Sequence, residues 1–331
     1  MRSIQVIAYD NGVGLSRDLR LLTDLLGAHF HATITRLPKE RRGRRAFDPF
    51  IRVPDLLLRM KGERARPHFD INLMIERIRP AFRSQAKVNL LLPHPDWFKD
   101  SDRRQFGVVD GVVVKTRHAV ELFAPFGAPV HYVGFTSVDR MVTDVPREKS
   151  FFHLAGRSEN KGTDAVLELW QRHPDWPLLT VVQHPDKARR TVSAANVRHM
   201  TEYIAEDELL RMQNAHRFHL CPSETEGFGH HLVEAASVGA VIVTVDAPPM
   251  NEMVTPERGV LVPYVETGTQ RLATTYFVDR PALEAAIEKV IAMDDQECNG
   301  MSAASRAWWQ DNDREFRKRF VDALQEWPLP S

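Results

Sequence analysis

The chain has 331 residues, of which 43% are hydrophobic, so it is long enough to bury two separate cores. Its formal net charge is zero, with 44 Lys and Arg against 44 Asp and Glu, which excludes a global field that would favour nucleic acid. Two cysteines, an N-terminus without the apolar length of a signal peptide, and no run near the roughly 18 apolar residues of a membrane span together predict a cytoplasmic protein.

The N-terminal part of the chain alternates predicted strands and helices. Apolar runs predict strands at 3–9, 31–37, 71–75, 88–92, 111–116 and 129–133. The turn Gly12-Val13-Gly14 leads from the first strand into a helix with leucines at helical spacing. This is a Rossmann-like opening without the third glycine of the dinucleotide fingerprint, so a tight turn that binds no ligand is the alternative.

Residues 36–66 have the most unusual composition in the chain. They contain eleven basic and four acidic residues, a net charge of +7, interleaved with aromatic and aliphatic side chains. This combination suits anionic lipid headgroups, to which each basic residue near the surface contributes about 1 kcal/mol. The alternative is a solvated loop over a buried strand at 54–58.

The strand at 88–92 ends in Pro93-His94-Pro95-Asp96-Trp97-Phe98. A strand of a parallel sheet that ends in polar and aromatic residues points at a cleft. His94 is therefore a candidate general base or hydrogen-bond donor. The alternative is a structural histidine held between two prolines.

A second series of strands and helices begins after residues 134–139, where we place a hinge. Strands are predicted at 150–154, 178–183, 197–200, 219–221 and 240–245, and the tail from Asp279 is predicted to be helical. We interpret Asp311-Asn312-Asp313 as the cap at the start of a last helix, not as a metal-binding motif. Two α/β domains are the expected architecture.

Arg157 and Lys161 lie in the loop that follows the predicted strand at 150–154. An arginine offers a planar fork and a lysine a point charge, which together suit a diphosphate. The alternative is a pair of surface cations.

The stretch from Pro222 to Ala235 joins a strand to a helix through a turn that contains Gly227 and Gly229. We expect both glycines to adopt backbone angles barred to other residues and to bring main-chain amides close to a ligand at the positive end of the helix. The carboxylates of Glu226 and Glu234 suit hydrogen bonds from sugar hydroxyls.

Two glutamates separated by seven residues, with Gly-Phe-Gly between them, resemble the signature of family 4 type retaining glycosyltransferases of GT-B fold. The resemblance implies two Rossmann-like domains facing a central cleft, with a C-terminal helix crossing back to the first domain. We therefore expect an acceptor-binding domain at 1–139, a nucleotide-sugar-binding domain at 140–310 and the returning helix at 311–331.

The resemblance also implies roles for individual residues. Glu226 would hold hydroxyls of the donor sugar, and Glu234 would bind the ribose. The amides of the turn would meet the sugar and diphosphate. These roles fall on Gly227, Phe228 and Gly229. Arg157 and Lys161 would form the phosphate clamp, although three residues separate them where four are common in the family.

Three further positions follow from the same resemblance. Tyr203 and Ile204 lie in the stretch that lines the nucleobase pocket. Gly14 lies in the first loop, which approaches the donor phosphate or the acceptor. The histidine that the family often places after a comparable strand corresponds to His94.

The implied function is transfer of a hexose-type sugar from a nucleoside-diphosphate sugar to a glycan or lipid-linked acceptor in polysaccharide biosynthesis, with retention at the anomeric carbon. No cofactor and no metal are expected, because no His, Cys and carboxylate cluster stands out at ligand spacing. The alternatives are a sugar-nucleotide epimerase of the same fold, a non-catalytic nucleotide-sugar-binding module, and a strand-helix junction that binds no nucleotide. Segment 36–66 predicts peripheral attachment to an anionic membrane surface.

Overall fold

The computed structural model describes residues 1–9, 14–37, 67–188, 192 and 194–330. The chain divides into two compact units. Unit 1 contains Met1–Phe135 and Arg314–Ser331, and unit 2 contains Thr136–Asp313. The predicted divisions were at 139 and 310. Residues 38–66, which make up nearly all of the basic segment, and the residues of the first turn before Gly14 lie outside the described residues.

Unit 1 is built on a parallel sheet of six strands in the order β2-β1-β3-β4-β5-β6. The strands are β1 (Ser3–Tyr9), β2 (His31–Leu37), β3 (Phe69–Glu76), β4 (Ala86–Pro93), β5 (Gly111–Val114) and β6 (Val130–Tyr132). Its helices before residue 135 are α1 (Gly14–His29), α2 (Asp100–Arg104) and α3 (Arg117–Phe123). The inner strands are nearly continuous apolar runs because they are buried on both faces.

The end of the chain packs into unit 1. The Phe316 ring lies 4.9 Å from that of Phe135, and both side chains are buried, as is Phe320. The guanidinium of Arg2 donates to the carbonyl oxygens of Leu324 (3.0 Å) and Trp327 (2.7 Å). The apolar side chains of Phe316 and Phe320 in the last helix therefore pack into the core of unit 1.

Unit 2 repeats the architecture with a parallel sheet in the order β12-β11-β10-β7-β8-β9. These strands are β7 (Glu148–Gly156), β8 (Leu179–Gln183), β9 (Val197–Met200), β10 (His216–Cys221), β11 (Val241–Val245) and β12 (Gly259–Val262). The helices from residue 163 onward are α4 (Thr163–Arg172), α5 (Glu206–Ala215), α6 (His230–Ser237), α7 (Met250–Met253), α8 (Arg280–Ala292) and α9 (Asp295–Glu326). Phe151, Phe218 and Trp170 lie at the centre of its apolar core.

Several features in the second half of the chain were not predicted, among them strand β12. An antiparallel hairpin is formed by β13 (Tyr264–Gln270) and β14 (Ala273–Val278). Helix α9 runs without interruption for 32 residues, so Asp311-Asn312-Asp313 lies in its interior and the cap interpretation was wrong. Asp and Asn cost a helix interior less than about 0.7 kcal/mol each, which burial of Trp309 and Phe316 on the same helix outweighs. None of the described helices combines the length and the hydropathy needed to cross a bilayer.

Candidate active site

Two loops of unit 2 meet at the carboxyl edge of its sheet. One follows β7 and leads to α4, and the other follows β10 and leads to α6; the two strands are parallel neighbours, so both loops leave the same edge. The amide of Glu224 donates to the carbonyl oxygen of Asn160 at 2.9 Å. Gly162 has a φ of 67°, and a Cβ there would overlap the carbonyl oxygen of Pro222. Glycine at this position permits the close approach of the two loops.

The turn before α6 depends on one of its two glycines. Gly229 has a φ of 99°, in the left-handed region, and a Cβ there would lie 2.9 Å from a Leu232 methyl carbon. Gly227 is not among the residues with positive φ. The predicted left-handed backbone is therefore confirmed for Gly229 and is not found at Gly227, while the approach of the turn amides to a ligand stays a prediction.

An ion pair joins the two loops. The Lys161 ammonium donates to a carboxylate oxygen of Glu226, and the two side chains are 14% and 11% exposed. Lys161 Nζ also lies 3.2 Å from Nδ1 of His231, and Nε2 of that ring lies 3.1 Å from the Ser223 hydroxyl. The structure therefore brings together Lys161 and Glu226 as the centre of one polar cluster.

His231 is neutral in this cluster. Burial lowers the pKa of His231 well below its usual value, and the charge of Lys161 lowers it further. Because an ammonium group only donates, Nδ1 accepts from Lys161, and the ring proton is assigned to Nε2, which donates to Ser223. His231 thereby orients Lys161, and because its ring is neutral it does not repel the ammonium.

A second buried histidine forms hydrogen bonds with elements that flank the two loops. His153, on β7, donates from Nδ1 to the carbonyl oxygen of Leu220 (2.8 Å) and accepts at Nε2 from the hydroxyl of Thr163 (2.9 Å). Burial lowers the pKa of His153 to about 4, so the ring is neutral. Cys221 is buried, and burial raises the pKa of its thiol, which keeps the thiol protonated.

The family model for glycosyl transferases group 1 matches residues 139–308. The chain belongs to this family. A comparison with curated protein sequences gave no match.

Solved structures show the fold across the whole chain. Sucrose-phosphate synthase from Thermosynechococcus elongatus matches with a TM-score of 0.71 and 13% identity, covering 98% of this chain and 99% of that one. The lipopolysaccharide outer core galactosyltransferase WaaB matches with a TM-score of 0.68 and 14% identity, covering 98% of this chain and 99% of that one. An E. coli trehalose-6-phosphate structure bound with UDP-2-fluoro glucose matches with a TM-score of 0.68 and 11% identity, covering 99% of this chain and 100% of that one. The chain is a glycosyltransferase of GT-B fold.

Arg157 and Glu234 of this glycosyltransferase make other contacts. The Arg157 side chain is 61% exposed, and its guanidinium lies 4.0 Å from the carboxylate of Asp186. Glu234 is buried and accepts a hydrogen bond from the amide of Gln213 at 3.1 Å, which in turn accepts from Arg140 at 2.7 Å. Neither side chain contributes to the Lys161 ion pair.

The remaining predicted positions are spread over both units. Tyr203 is 94% exposed, whereas Ile204 packs against a small apolar cluster of β7 and α5. Phe228 is buried, with its ring edge-on to His230 at 5.2 Å. Gly14 is the first residue of α1. Their proposed contacts with a donor stay predictions.

His94, in unit 1, belongs to a cluster that sequence analysis missed. Its Nε2 lies 2.7 Å from Lys115 Nζ and 3.1 Å from an oxygen of Asp18, and Lys115 and Asp18 form an ion pair. Asp18 occurs at apolar-face spacing between Leu15 and Leu22 of α1, and a carboxylate on an apolar face is the signal that could have found it.

One group of potential metal ligands occurs among the described residues, although the sequence suggested none. It consists of His173, Glu284 and Glu288, with His173 Nε2 2.6 Å from a Glu284 oxygen. Arg172 also binds Glu284, at 3.0 Å, and supplies positive charge. The group lies at the opposite end of α4 from Lys161, about 15 Å away along the helix. Metal-independent transfer stays a prediction.

Proposed function

We propose that this glycosyltransferase moves a hexose-type sugar from a nucleoside-diphosphate sugar to a glycan or lipid-linked acceptor, with retention and without a metal. The observation that carries the proposal is the Lys161–Glu226 ion pair, held by His231 beside the Gly229 turn at the carboxyl edge of the unit 2 sheet. A cation and a carboxylate placed together suit a ligand that has both a diphosphate and sugar hydroxyls.

Both members of the ion pair gain new hydrogen-bond partners when a donor binds. Lys161 shares its hydrogen bonds between Glu226 and the diphosphate, and Glu226 accepts a hydrogen bond from a hydroxyl of the sugar. The contact between Arg157 and Asp186 is long and exposed, so Arg157 reorients towards the phosphates at little cost. The two cations then neutralise the charge that develops on the leaving diphosphate, work that a metal would otherwise perform.

The structural relatives support the choice of substrates. One of them is bound with UDP-2-fluoro glucose, and another is named as a galactosyltransferase of the lipopolysaccharide outer core. The first agrees with a nucleoside-diphosphate sugar as donor, and the second agrees with a hexose as the transferred sugar and a lipid-linked glycan as acceptor.

A donor screen tests the proposal. Thermal shift of the full chain across UDP-, GDP- and dTDP-sugars identifies the donor, and transfer is then followed with and without EDTA. The anomeric configuration of the product is read by NMR. We expect stabilisation by one donor class, transfer in EDTA, and retention. Loss of transfer in EDTA or an inverted product contradicts the mechanism.

The same assay separates the rival functions. Conversion of the donor sugar in the absence of any acceptor indicates an epimerase. Calorimetric binding of the donor without turnover on any acceptor indicates a binding module.

We further propose that segment 36–66 attaches the enzyme to an anionic membrane surface, where a lipid-linked acceptor is presented. Its net charge of +7 beside apolar residues supports this assignment. Sedimentation with anionic vesicles at low salt should capture the full chain, and binding should weaken as salt screens charges beyond about 8 Å. Capture that is absent, or unchanged after Arg41, Arg42, Arg44 and Arg45 are replaced by Ser, favours the solvated loop.

A further inference from the structure

Three ionisable side chains converge at the carboxyl edge of the unit 1 sheet. His94 directly follows β4, Lys115 directly follows β5, and Asp18 comes from α1. The Lys115 and Asp18 side chains are 1% and 0% exposed, and that of His94 is 13% exposed. Burial this deep removes the hydration of both ions, which is unfavourable, so the position of this ion pair beside a partly exposed histidine indicates a role for it.

The contacts of Lys115 favour the ammonium form of its side chain. Burial lowers the pKa of Lys115, and the carboxylates of Asp18, Asp96 and Glu76 oppose that effect. Its ammonium donates to Asp18 and lies 4.1 Å from the centroid of the Phe135 ring, whose face attracts a cation. The ion pair with Asp18, the two other carboxylates and the face of the aromatic ring all stabilise positive charge at Nζ.

The positive charge determines which ring nitrogen of His94 carries the proton. Nε2 lies 2.7 Å from Lys115 Nζ and 3.1 Å from Asp18, so the shorter contact is to a group that only donates. Nε2 therefore accepts from Lys115, and the proton of a neutral ring is on Nδ1. The lone pair that a general base would need is already occupied.

We propose that Asp18 and Lys115 are positioning residues that hold His94 as the Nδ1–H tautomer, so that His94 donates a hydrogen bond to an oxygen of the bound sugar substrate. Asp18 anchors the ammonium, and the ammonium orients the ring. His94 then acts as a donor and not as a general base. The identity of the ligand rests on the proposed function, whereas the tautomer does not.

NMR of the full chain labelled with ¹⁵N-histidine tests the tautomer directly. The chain has 14 histidines, and the His94 signals are assigned by their loss in His94→Gln. We expect the downfield shift of an unprotonated nitrogen at Nε2 and a protonated Nδ1. A proton on Nε2 in the wild-type protein, or a doubly protonated ring at neutral pH, overturns the proposal without the need for any further variant.

Substitutions of the two positioning residues give opposite expectations. Lys115→Met removes the donor, so the proton should move to Nε2 and bind Asp18. Asp18→Asn keeps a side-chain oxygen that accepts from the Lys115 ammonium, so Lys115 should still donate to Nε2 and the wild-type tautomer should persist. Lys87→Met, which removes an exposed ion pair with Asp70, is the matched control and should leave the His94 signals unchanged. A tautomer that does not change in Lys115→Met overturns the role of Lys115.

Two variants of His94 test the donor role by activity. The amide of His94→Asn lies where Nδ1 was, whereas that of His94→Gln lies where Nε2 was. Loss of one hydrogen-bond donor costs roughly 10²-fold or more in turnover, so we expect this loss in His94→Gln and a smaller loss in His94→Asn. Equal losses indicate a general base. If the wild-type protein transfers no sugar, the proposed function fails while the tautomer result stands.

Discussion

Replacement of Lys161 by Met tests the central ion pair. The substitution removes the ammonium and keeps the length of the side chain, so Glu226 is left beside the neutral ring of His231. Two unit charges about 4 Å apart interact by about 4 kcal/mol at an effective dielectric constant of 20. Much of this is offset by desolvation, and a charged group left without its partner costs about 1–3 kcal/mol or more.

We therefore expect Lys161→Met to lower the free energy of unfolding by about 2 kcal/mol, because its side chain and that of Glu226 are 14% and 11% exposed and are little screened by water. Transfer should fall by roughly 10²–10³-fold, since a cation that meets the leaving diphosphate is lost. Urea unfolding of the full chain and initial rates with the identified donor measure the two effects.

The double variant Lys161→Met, Glu226→Gln distinguishes the two effects. An amide costs less to bury than an unpaired carboxylate, so stability should return towards that of the wild-type protein while transfer stays low. Lys187→Met is the control, because its ion pair with Glu159 is 35% and 46% exposed and such pairs contribute about 0–1 kcal/mol. Wild-type stability in Lys161→Met, or no recovery in the double variant, refutes this reasoning.

Three further outcomes are expected. Glu226→Gln should keep the affinity for free nucleoside diphosphate within about twofold while Glu234→Ala weakens it by about tenfold or more, a difference of at least about 1.4 kcal/mol in calorimetry; equal affinities contradict the sugar and ribose assignments. Burial lowers the pKa of His219 to about 3. As pH falls from 6.5, the unfolded chain therefore binds a proton that the folded chain does not, and stability decreases by up to about 1.4 kcal/mol per pH unit. His219→Gln should flatten this decrease in urea unfolding between about pH 6 and 4.5, and an unchanged slope argues against it. Gly229→Ala should cost about 1–2 kcal/mol because of its left-handed backbone. Gly107→Ala, where a Cβ meets nothing within 4 Å, is the control that should unfold like the wild-type protein.

The sequence by itself determined most of the strands and helices and the glycine turn. Strands of parallel sheets are buried on both faces, so their sequences are continuous apolar runs. Such runs can be recognised without knowledge of the neighbouring strands. Gly229 was recognisable because few other residues adopt the backbone conformation that its turn requires. The hairpin β13–β14 was missed although its strands are rich in β-branched and aromatic residues, because its turn at Arg271 has no glycine or asparagine to mark it.

Only the tertiary structure decided which side chains meet. Lys161 and Glu226 are 65 positions apart, and Asp18 and Lys115 are 97 apart, so each pair depends on how strands and helices are arranged around a sheet. Strand order is set by the packing of whole elements, which the residues of one segment do not encode. Burial then set the charges: the desolvation that keeps His231 neutral, and the ammonium beside His94, arise from neighbours distant in the sequence. Individual motifs therefore indicated the kinds of side chain in the site, and the fold determined which of these groups are protonated and at which atom.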